Sequence, residues 1–299
     1  MQRIIITGGS GYIGRKIIGV LKDSYEIVIL SRRPEKHHLD GAKVVAWDGK
    51  TANGWGNLAD GAFAIINLAG ANIGAWLWTK SYKTQITESR INAGHAVVEA
   101  IRAARTKPKA LVQASGVGYY GHAPDPVTEH SNGGSDFLAK VCREWEKSTA
   151  EVEAMGVRRV VTRFAVVIDP KEGALRRMLL PFYLFVGGPV GGGKQPFPWI
   201  HPVDITGAIR YLLENEQISG VFNLVAPRVV TNGEFARALG KAVSRPSFMP
   251  TPGLALKLGL GEMSSLVLQG QNAKSDKLRD AGYTFKFEDA ESALADLMR

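Results

Sequence analysis

The sequence predicts an α/β fold built on a doubly wound parallel sheet. Short apolar runs rich in β-branched residues alternate with helical patterns over the first half of the chain. A glycine-rich turn follows the first of these runs and opens a helical pattern. The runs are apolar throughout, which is typical of strands whose two faces are both covered by helices. At 299 residues the chain can bury a core without a disulfide or a metal.

Seven runs are predicted to be strands because they are short, apolar and β-branched. They span residues 4–7, 27–30, 43–47, 64–68, 110–114, 160–164 and 221–224. Helices are predicted where apolar residues recur at a spacing of roughly 3.6 residues. These stretches are 13–23, 89–105, 137–156, 201–215 and 232–243.

The composition is that of an ordinary globular protein, with 45% hydrophobic and 22% charged residues. A single cysteine, Cys142, excludes a disulfide framework and a zinc site made of several cysteines, so no metal site is expected. No apolar run approaches the roughly 18 residues that span a bilayer, and the N-terminus lacks a signal-peptide pattern. We therefore expect a soluble, cytoplasmic protein without a membrane partner.

The net charge of +9 raises the question of nucleic-acid binding. The Lys and Arg residues are scattered along the chain rather than gathered in a block. A solvated basic surface is therefore the favoured interpretation, and nucleic acid is not an expected partner. A few of these cations would also suit an anionic small molecule.

The stretch TGGSGYIG, residues 7–14, places Gly8, Gly11 and Gly14 between the first predicted strand and the first predicted helix. Glycine permits a tight turn, lets the backbone approach a pyrophosphate and allows the helix to pack closely on the strand. The helix N-terminus then offers free N–H groups and the positive end of its dipole to phosphates. This context predicts a dinucleotide site in a Rossmann-type sheet.

The end of the second predicted strand distinguishes NADP from NAD. Sheets that bind NAD usually have an Asp or Glu roughly 20 residues beyond the glycines, which holds the ribose 2′-hydroxyl. This chain has Ser31, Arg32 and Arg33 there. Guanidinium groups pair with a 2′-phosphate, which a carboxylate would repel, so NADP(H) is the predicted cofactor. Two solvated arginines after a strand are the alternative.

The chain is predicted to form two unequal domains. The alternation of strands and helices ends near residue 171, and a loop rich in Gly and Pro follows at 186–199. The strand at 221–224 returns to the sheet before a mainly helical region begins after residue 226. Residues 1–170 and 198–226 are therefore predicted to form the NADP-binding Rossmann domain. Residues 171–197 and 227–299 are predicted to form a smaller C-terminal lobe for the substrate.

Further motifs extend the pattern beyond the glycine turn: INLAG at 66–70, SGVGYYG at 115–121 and FPWIHPVDITG at 197–207. With them the chain resembles the extended short-chain dehydrogenases/reductases. Within that superfamily it is most similar to the atypical, epimerase-like, NADP-binding branch, whose members are often named nucleoside-diphosphate-sugar epimerases. The resemblance covers nearly the whole chain. It implies a nucleotide-sugar-like or other anionic substrate.

The resemblance also assigns cofactor contacts. They are implied for Gly8, Ser10, Gly11, Tyr12 and Ile13 in the first turn, Ser31 and Arg32 at the 2′-phosphate, Leu68 and Ala69 after the fourth strand, Gln85 and Arg90 on the next helix, and Val167 near the nicotinamide. Arg33 is assigned to the same 2′-phosphate contact as Arg32 because it is also positively charged.

The match fails at the catalytic residues. Ordinary members of the superfamily use a Tyr with a Lys four residues later, and the Lys lowers the tyrosine pKa from about 10 towards neutrality. Among the tyrosines here, Tyr12 alone has a lysine at that spacing, Lys16, and this pair lies at the phosphate end of the cofactor. Phe137 stands where the tyrosine of the Tyr–Lys helix is expected.

Tyr120, Tyr119 and Ser115 are the remaining catalytic candidates. They lie at or just after the end of the fifth predicted strand, where open α/β sheets bind ligands. Three roles stay open for the tyrosines: core packing, donation of a proton, and contact with the substrate.

Several other residues carry weaker signals. Lys194 and His201 either meet an anionic substrate beside the glycine-rich loop or are plain surface residues. Asp204 is predicted to cap a helix. Trp76 and Trp78 either wall a cleft or pack in the core.

Two functions are consistent with these features. The first is an NADP(H)-dependent oxidoreductase or epimerase that passes hydride between the nicotinamide and a carbinol or carbonyl carbon. Tyr120, Tyr119 or Ser115 would handle the proton. The alternative is a non-catalytic NADP(H)-binding regulatory or sensor protein, which the missing Tyr–Lys pair favours.

Overall fold

The computed structural model of the protein describes residues 1–75 and 77–299. In this part of the chain the β-strands are β1 (Gln2–Thr7), β2 (Tyr25–Ser31), β3 (Ala42–Ala46), β4 (Ala64–Asn67), β5 (Ala110–Gly116), β6 (Ala123–Val127), β7 (Arg158–Phe164), β8 (Val166–Val167), β9 (Pro196–Phe197), β10 (Trp199–Ile200), β11 (Gly220–Leu224), β12 (Val230–Thr231) and β13 (Gln271–Ala273). The α-helices are α1 (Tyr12–Leu21), α2 (Lys80–Ala103), α3 (Phe137–Lys147), α4 (Gly173–Tyr183), α5 (Pro202–Glu214), α6 (Asn232–Ala242), α7 (Gly253–Leu260), α8 (Ser265–Leu268), α9 (Asp276–Asp280) and α10 (Ala290–Leu297).

Seven parallel strands form one central sheet in the order β11-β7-β5-β4-β1-β2-β3. All seven runs predicted to be strands belong to it, so the predicted Rossmann-type, doubly wound sheet is confirmed. The strand order reverses between β1 and β4. A crevice forms outside the carboxyl ends of the strands at such a reversal, and ligands of open α/β sheets bind there.

The central sheet is buried on both faces. Ile4 and Ile66 point into the cluster that includes α1 and α5, while Ile5 and Ile65 point into the cluster that includes α2. Successive residues of a strand face opposite sides, so a strand covered on both faces must be apolar at every position. This explains the continuous apolar runs in the sequence.

A third apolar cluster lies where α4, α6 and α10 pack together. Phe182, Phe235 and Leu294 are buried at its centre. After α8 the chain packs against one face of the central sheet, where Phe285 joins the cluster that includes α1 and α5. In the same region β13 pairs with β6 in a separate two-stranded sheet. The boundaries between a Rossmann domain and a smaller lobe stay a prediction.

The helices depart from the prediction more than the strands do. α2 begins at Lys80 rather than at residue 89, and α3 ends at Lys147, where a 3₁₀ helix at Ala150–Met155 takes over. α4 lies where no helix is predicted. Its Leu179 and Phe182 have helical spacing and are buried in the third cluster, so tertiary packing stabilises a helix in a stretch whose glycines and prolines obscure the pattern.

Asp204 does not cap α5, and that prediction is wrong. The cap is His201, whose Nδ1 accepts a hydrogen bond from the N–H of Val203 at 3.2 Å. Asp204 lies in the first turn and is 1% exposed. Its carboxylate accepts hydrogen bonds from the N–H groups of Lys286 at 2.7 Å and Phe287 at 3.0 Å. The Asp204 side chain therefore makes a tertiary contact instead of a cap, and this contact holds the segment before α10 against α5.

His201 is enclosed rather than placed to meet a substrate. Its side chain is buried, and its ring lies 4.0 Å from that of Phe287, measured between centroids. Burial lowers the pKa of the imidazole from 6.5 to about 4. The residue is therefore neutral near pH 7. Lys194, the other candidate beside the glycine-rich loop, is exposed.

Acidification from pH 7 to pH 5 is expected to lower the free energy of unfolding. The unfolded chain takes up a proton at His201 below a pKa of about 6.5, whereas the folded chain does so only near 4, so acid favours unfolding within that window. The variant His201→Asn keeps a capping side chain but does not titrate, and it should lose less stability. Denaturant unfolding at both pH values measures the effect. An equal loss in the two proteins would contradict the assignment to His201.

Candidate functional site

The glycine turn between β1 and α1 leaves no room for side chains at two positions. Gly8 has a φ of +67°, and a Cβ there would lie 2.9 Å from the carbonyl carbon of Leu68. A Cβ on Gly14 would lie 2.5 Å from the Cα of Gly9. Both positions therefore require glycine. The turn is packed against the end of β4, at the reversal of strand order.

The first turn of α1 is open to an anion. In the described structure no side chain caps this helix, and its first turn contains no acidic residue. Gly11 is exposed, while Ser10, Tyr12 and Ile13 are half-buried. The first N–H groups of a helix have no acceptor within it, and together with the helix dipole they bind phosphate. The residues of this turn therefore fit a pyrophosphate.

Tyr12 fastens the turn to the segment after β8. Its hydroxyl donates a hydrogen bond to Asp169 at 2.6 Å, and Arg15 pairs with Glu172 beside it. Burial and the Asp169 carboxylate raise the pKa of Tyr12 above its usual value. The ammonium group of Lys16 lies 5.6 Å from the centroid of the Tyr12 ring. This Tyr–Lys spacing is not an activated acid–base pair, because the shift in pKa has the opposite sign.

The end of β2 presents two free guanidinium groups. Ser31 is buried, and its hydroxyl oxygen accepts a hydrogen bond from the N–H of Arg33 at 3.1 Å. Arg32 and Arg33 are exposed, and neither forms an ion pair with another residue of the described ranges. Both side chains are therefore available to an anion at the carboxyl end of β2.

Three buried polar side chains link the carboxyl ends of β1 and β4 to the middle of β5. The hydroxyl of Thr7 donates to Oδ1 of Asn67 at 2.5 Å, and Nδ2 of Asn67 donates to Oε1 of Gln113 at 2.8 Å. The backbone N–H of Leu68 donates to the carbonyl of Thr7 at 3.1 Å, and that of Ala69 donates to the Thr7 hydroxyl at 3.2 Å. This network positions Leu68 and Ala69, and the sequence analysis missed it. The available signal was a single polar residue of this kind within or at the end of each of three apolar runs.

Arg90 on α2 is held beside the end of β4. Its Nη1 donates to the carbonyl of Ala71 at 3.1 Å, and its guanidinium lies 4.8 Å from the centroid of the Trp145 ring. Desolvation lowers the pKa of Arg90, although an arginine stays protonated at any working pH. A Cβ on Gly70 would lie 2.9 Å from Cζ of Arg90. Gln85, earlier on the same helix, is exposed.

Val167 occupies the short strand β8. It is half-buried and pairs in parallel with Ile200 of β10. It also packs against the sheet cluster that contains Tyr120. Its backbone therefore lies between the sheet and the segment that carries His201.

Tyr120 belongs to a buried polar network. Its hydroxyl donates a hydrogen bond to Oδ1 of Asn223 at 2.8 Å and accepts one from Nη1 of Arg163 at 3.0 Å. The residue is 4% exposed, and burial raises the pKa of its hydroxyl in spite of the neighbouring guanidinium. The side chain connects β7 to β11, and its hydroxyl is fully occupied by protein partners.

Ser115 is committed to the same network. Its hydroxyl donates to Oε1 of Glu146 at 2.7 Å. Arg163 pairs with both oxygens of that carboxylate, with Nε–Oε1 at 2.8 Å and Nη2–Oε2 at 2.9 Å. A buried pair of charges needs hydrogen bonds of this kind to offset its desolvation. The hydroxyl of Ser115 therefore serves as a hydrogen-bond donor to the buried carboxylate of Glu146.

Tyr119 differs from its neighbours because its hydroxyl makes no hydrogen bond with any other described residue. It is half-buried, and the guanidinium of Arg163 lies 3.4 Å from the centroid of its ring. The Tyr119 and Tyr120 rings pack edge to face with centroids 5.4 Å apart. The structure brings the three candidates together around one guanidinium and leaves the Tyr119 hydroxyl uncommitted.

The face of α3 expected to carry the Tyr–Lys pair is apolar. Phe137 opens the helix and packs on Trp78 with ring centroids 5.2 Å apart. Val141, one turn later, is buried against Trp78 and Ile86. An ammonium and a phenol are therefore replaced by an apolar wall between α2 and α3. Trp76 lies outside the described residues.

Residues 1–75 and 77–299 show neither a metal-ligand cluster nor a membrane-spanning helix. No group of three or more His, Cys, Asp or Glu side chains in these ranges could hold a metal ion. None of the helices described there is long and apolar enough to cross a membrane.

Family models account for most of the chain. Residues 4–224 match the NAD dependent epimerase/dehydratase family, and residues 251–297 match a domain of unknown function, DUF1731. The chain belongs to the NAD-dependent epimerase/dehydratase family. Its place among the atypical, epimerase-like extended short-chain dehydrogenases/reductases is confirmed by the relatives.

The relatives match this family member along nearly their whole length. It is 38% identical to the epimerase family protein YfhF of Bacillus subtilis, with 99% of this chain and 98% of that protein covered. It is 35% identical to the epimerase family protein SDR39U1 of mouse, with 99% and 100% covered. The crystal structure of human SDR39U1 with NADPH superposes with a TM-score of 0.89 at 32% identity and 99% coverage of both chains. The fold is therefore that of the NAD(P)-dependent epimerases.

Tyr120→Phe is expected to lower the free energy of unfolding by about 1–3 kcal/mol, because Asn223 and Arg163 lose a buried hydrogen-bond partner. The matched control is Tyr119→Phe, which removes a hydroxyl without a described partner and should change stability by less than about 0.5 kcal/mol. Denaturant unfolding of the three proteins checks this. Equal effects of the two substitutions would contradict the structural role of Tyr120.

Proposed function

We propose that this epimerase-family protein binds NADP(H) and acts as an oxidoreductase or epimerase on a small, anionic substrate. One observation carries the proposal: two exposed arginines without ion-pair partners in the described ranges follow β2, beside an uncapped helix N-terminus. The human relative whose structure contains NADPH supports the choice of cofactor.

Different residues of the chain would contact different parts of the cofactor. The N–H groups that open α1 would bind the pyrophosphate, and Arg32 and Arg33 would pair with the 2′-phosphate. Leu68 and Ala69 would pack along the cofactor at the end of β4, with Val167 near its nicotinamide end. When bound, the nicotinamide supplies or accepts a hydride. The apolar wall of Phe137 and Val141 would exclude water from that end.

Arg32→Ala is expected to weaken NADPH binding about tenfold or more, because it removes a charge-assisted contact to the 2′-phosphate. NADH lacks this phosphate, so its affinity should change little. Arg105→Ala, another exposed arginine, is the matched control and should leave both affinities unchanged. Fluorescence titration of each protein with the two cofactors measures the ratio. An unchanged preference for NADPH in Arg32→Ala would overturn the assigned role.

The proton donor in this proposal is Tyr119. The hydroxyls of Tyr120 and Ser115 already serve Asn223 and Glu146, whereas that of Tyr119 has no partner among the described residues. The guanidinium of Arg163 lies 3.4 Å from the centroid of the Tyr119 ring and holds that ring in place.

A non-catalytic NADP(H) sensor is the second candidate. The observation that favours it is the apolar face of α3, where Phe137 and Val141 replace the usual proton-transfer pair. In such a protein the cofactor would set the arrangement of the C-terminal region, and a partner would recognise that arrangement.

Turnover distinguishes the two functions. The purified protein is mixed with NADPH and a panel of carbonyl compounds, and the absorbance of NADPH is followed. An oxidoreductase consumes NADPH with at least one compound, and Tyr119→Phe should then lower kcat about a hundredfold or more while leaving NADPH binding intact. The control is Tyr25→Phe. Tyr25 is the first residue of β2 and therefore lies at the amino ends of the strands, away from the site at their carboxyl ends. An epimerase returns its cofactor unchanged, so the protein is also incubated with NADP⁺ and nucleotide sugars, and the formation of epimers is followed by NMR. Tight NADPH binding with neither NADPH consumption nor epimer formation would favour the sensor.

A further inference from the structure

The large apolar side chains exposed to solvent are concentrated in two segments. These are 180–186, from the end of α4 into the following loop, and 248–258, from the loop after α6 into α7. Phe248 is 69% exposed, Leu254 70% and Leu258 81%. We call this set the apolar face; it comprises Leu180, Tyr183, Leu184, Phe185, Val186, Phe248, Met249, Leu254 and Leu258.

The two segments form one surface. The N–H of Met249 donates to the carbonyl of Gly187 at 3.1 Å, and the N–H of Thr251 donates to the carbonyl of Pro189 at 2.9 Å. The guanidinium of Arg245 lies 4.7 Å from the centroid of the Phe185 ring. The loop after α4 therefore runs alongside the chain that leads into α7.

Two features of the backbone around the apolar face are unfavourable in the isolated chain. Phe185 has a φ of +62°, which is uncommon for a bulky residue and signals local strain. None of the residues of α7 is buried. A helix of so few residues has little stability without a packed face. Both features indicate a surface that is completed by something outside the chain.

The two segments that carry the apolar face contain no acidic residue. Residues 173–203 and 235–261 contain no Asp or Glu. Within the same segments Arg176, Arg177 and Lys257 are exposed, and Arg245 is half-buried. A symmetric contact with a second copy would bring these cations against themselves, so charge complementarity favours an anionic partner.

We propose that the apolar face docks on an anionic lipid membrane surface. Leucine, phenylalanine and methionine side chains would enter the boundary between headgroups and acyl chains, and the surrounding arginines and lysine would pair with anionic headgroups. Apart from the Tyr183 hydroxyl the face offers lipid no polar side chain to satisfy, whereas a protein interface commonly carries about one hydrogen bond per 100–200 Å².

This interfacial docking goes beyond the proposed function and does not depend on it. It replaces the expectation of no membrane partner, which rests on the lack of an apolar run long enough to span a bilayer. Contact with one leaflet needs no such run.

The test is co-sedimentation of the full chain with vesicles. One set contains equal parts of phosphatidylglycerol and phosphatidylcholine, and the other contains phosphatidylcholine alone. We expect binding to the anionic set that weakens with salt. Phe248→Ser combined with Leu258→Ser should weaken it about tenfold or more, and Lys257→Glu about fivefold or more. Val203→Ser is the control, because Val203 is 47% exposed but lies outside the apolar face.

Four outcomes would overturn the proposal. They are no binding to either set, equal binding to both sets, binding that the double variant retains, and self-association that the double variant abolishes. The last would identify a second copy as the partner. Capture of an acidic protein without vesicle binding would point to a protein partner instead. All the substituted side chains are exposed, so each variant is expected to fold, and thermal unfolding checks this.

Discussion

Gly14 approaches the turn so closely that a Cβ on it would lie 2.5 Å from the Cα of Gly9, and this contact sets the position of α1 on the sheet. The same turn presses Gly8 against the carbonyl of Leu68. The first helix N-terminus and the end of β4 therefore share one crevice. The hydrogen-bonded network of Thr7, Asn67 and Gln113 lies beneath that crevice, so the candidate cofactor site is lined mainly by backbone and supported by buried polar side chains.

A second constraint is the buried ion pair of Arg163 and Glu146. The guanidinium satisfies a carboxylate on α3, the hydroxyl of Tyr120 and the ring face of Tyr119. Breaking such a pair by removing one partner costs about 3–5 kcal/mol, because it leaves a buried charge alone. Most of the catalytic candidates predicted from the sequence therefore have structural roles, and they connect β5, β7 and α3.

The C-terminal region is joined to the sheet by contacts of the same polar kind. Asp204 on α5 accepts two backbone hydrogen bonds from the segment before α10, and Asp169 ties the segment before α4 to Tyr12. Hydrogen bonds therefore join the glycine turn to the segment before α4, and α5 to the segment before α10.

The strands and the glycine turn were predictable because their signals are local. A strand buried on both faces must be apolar at every position, and a turn that approaches a neighbouring backbone must be glycine. The exposed Arg32 and Arg33 were also evident, since charge after a strand needs no tertiary context. The helix α4 was missed because Leu179 and Phe182 are stabilised by a distant cluster rather than by local propensity.

The sheet, the glycine turn and the absence of a Tyr–Lys pair on α3 could therefore be read from the sequence alone. The tertiary structure decided the roles of Asp204, Ser115 and Tyr120, whose partners lie far away along the chain. The hydroxyl or carboxylate of each has the same intrinsic chemistry at any position in the sequence. Burial and the distance to a partner decide whether it caps a helix, donates a proton or satisfies a charge, and those quantities exist only in the folded chain.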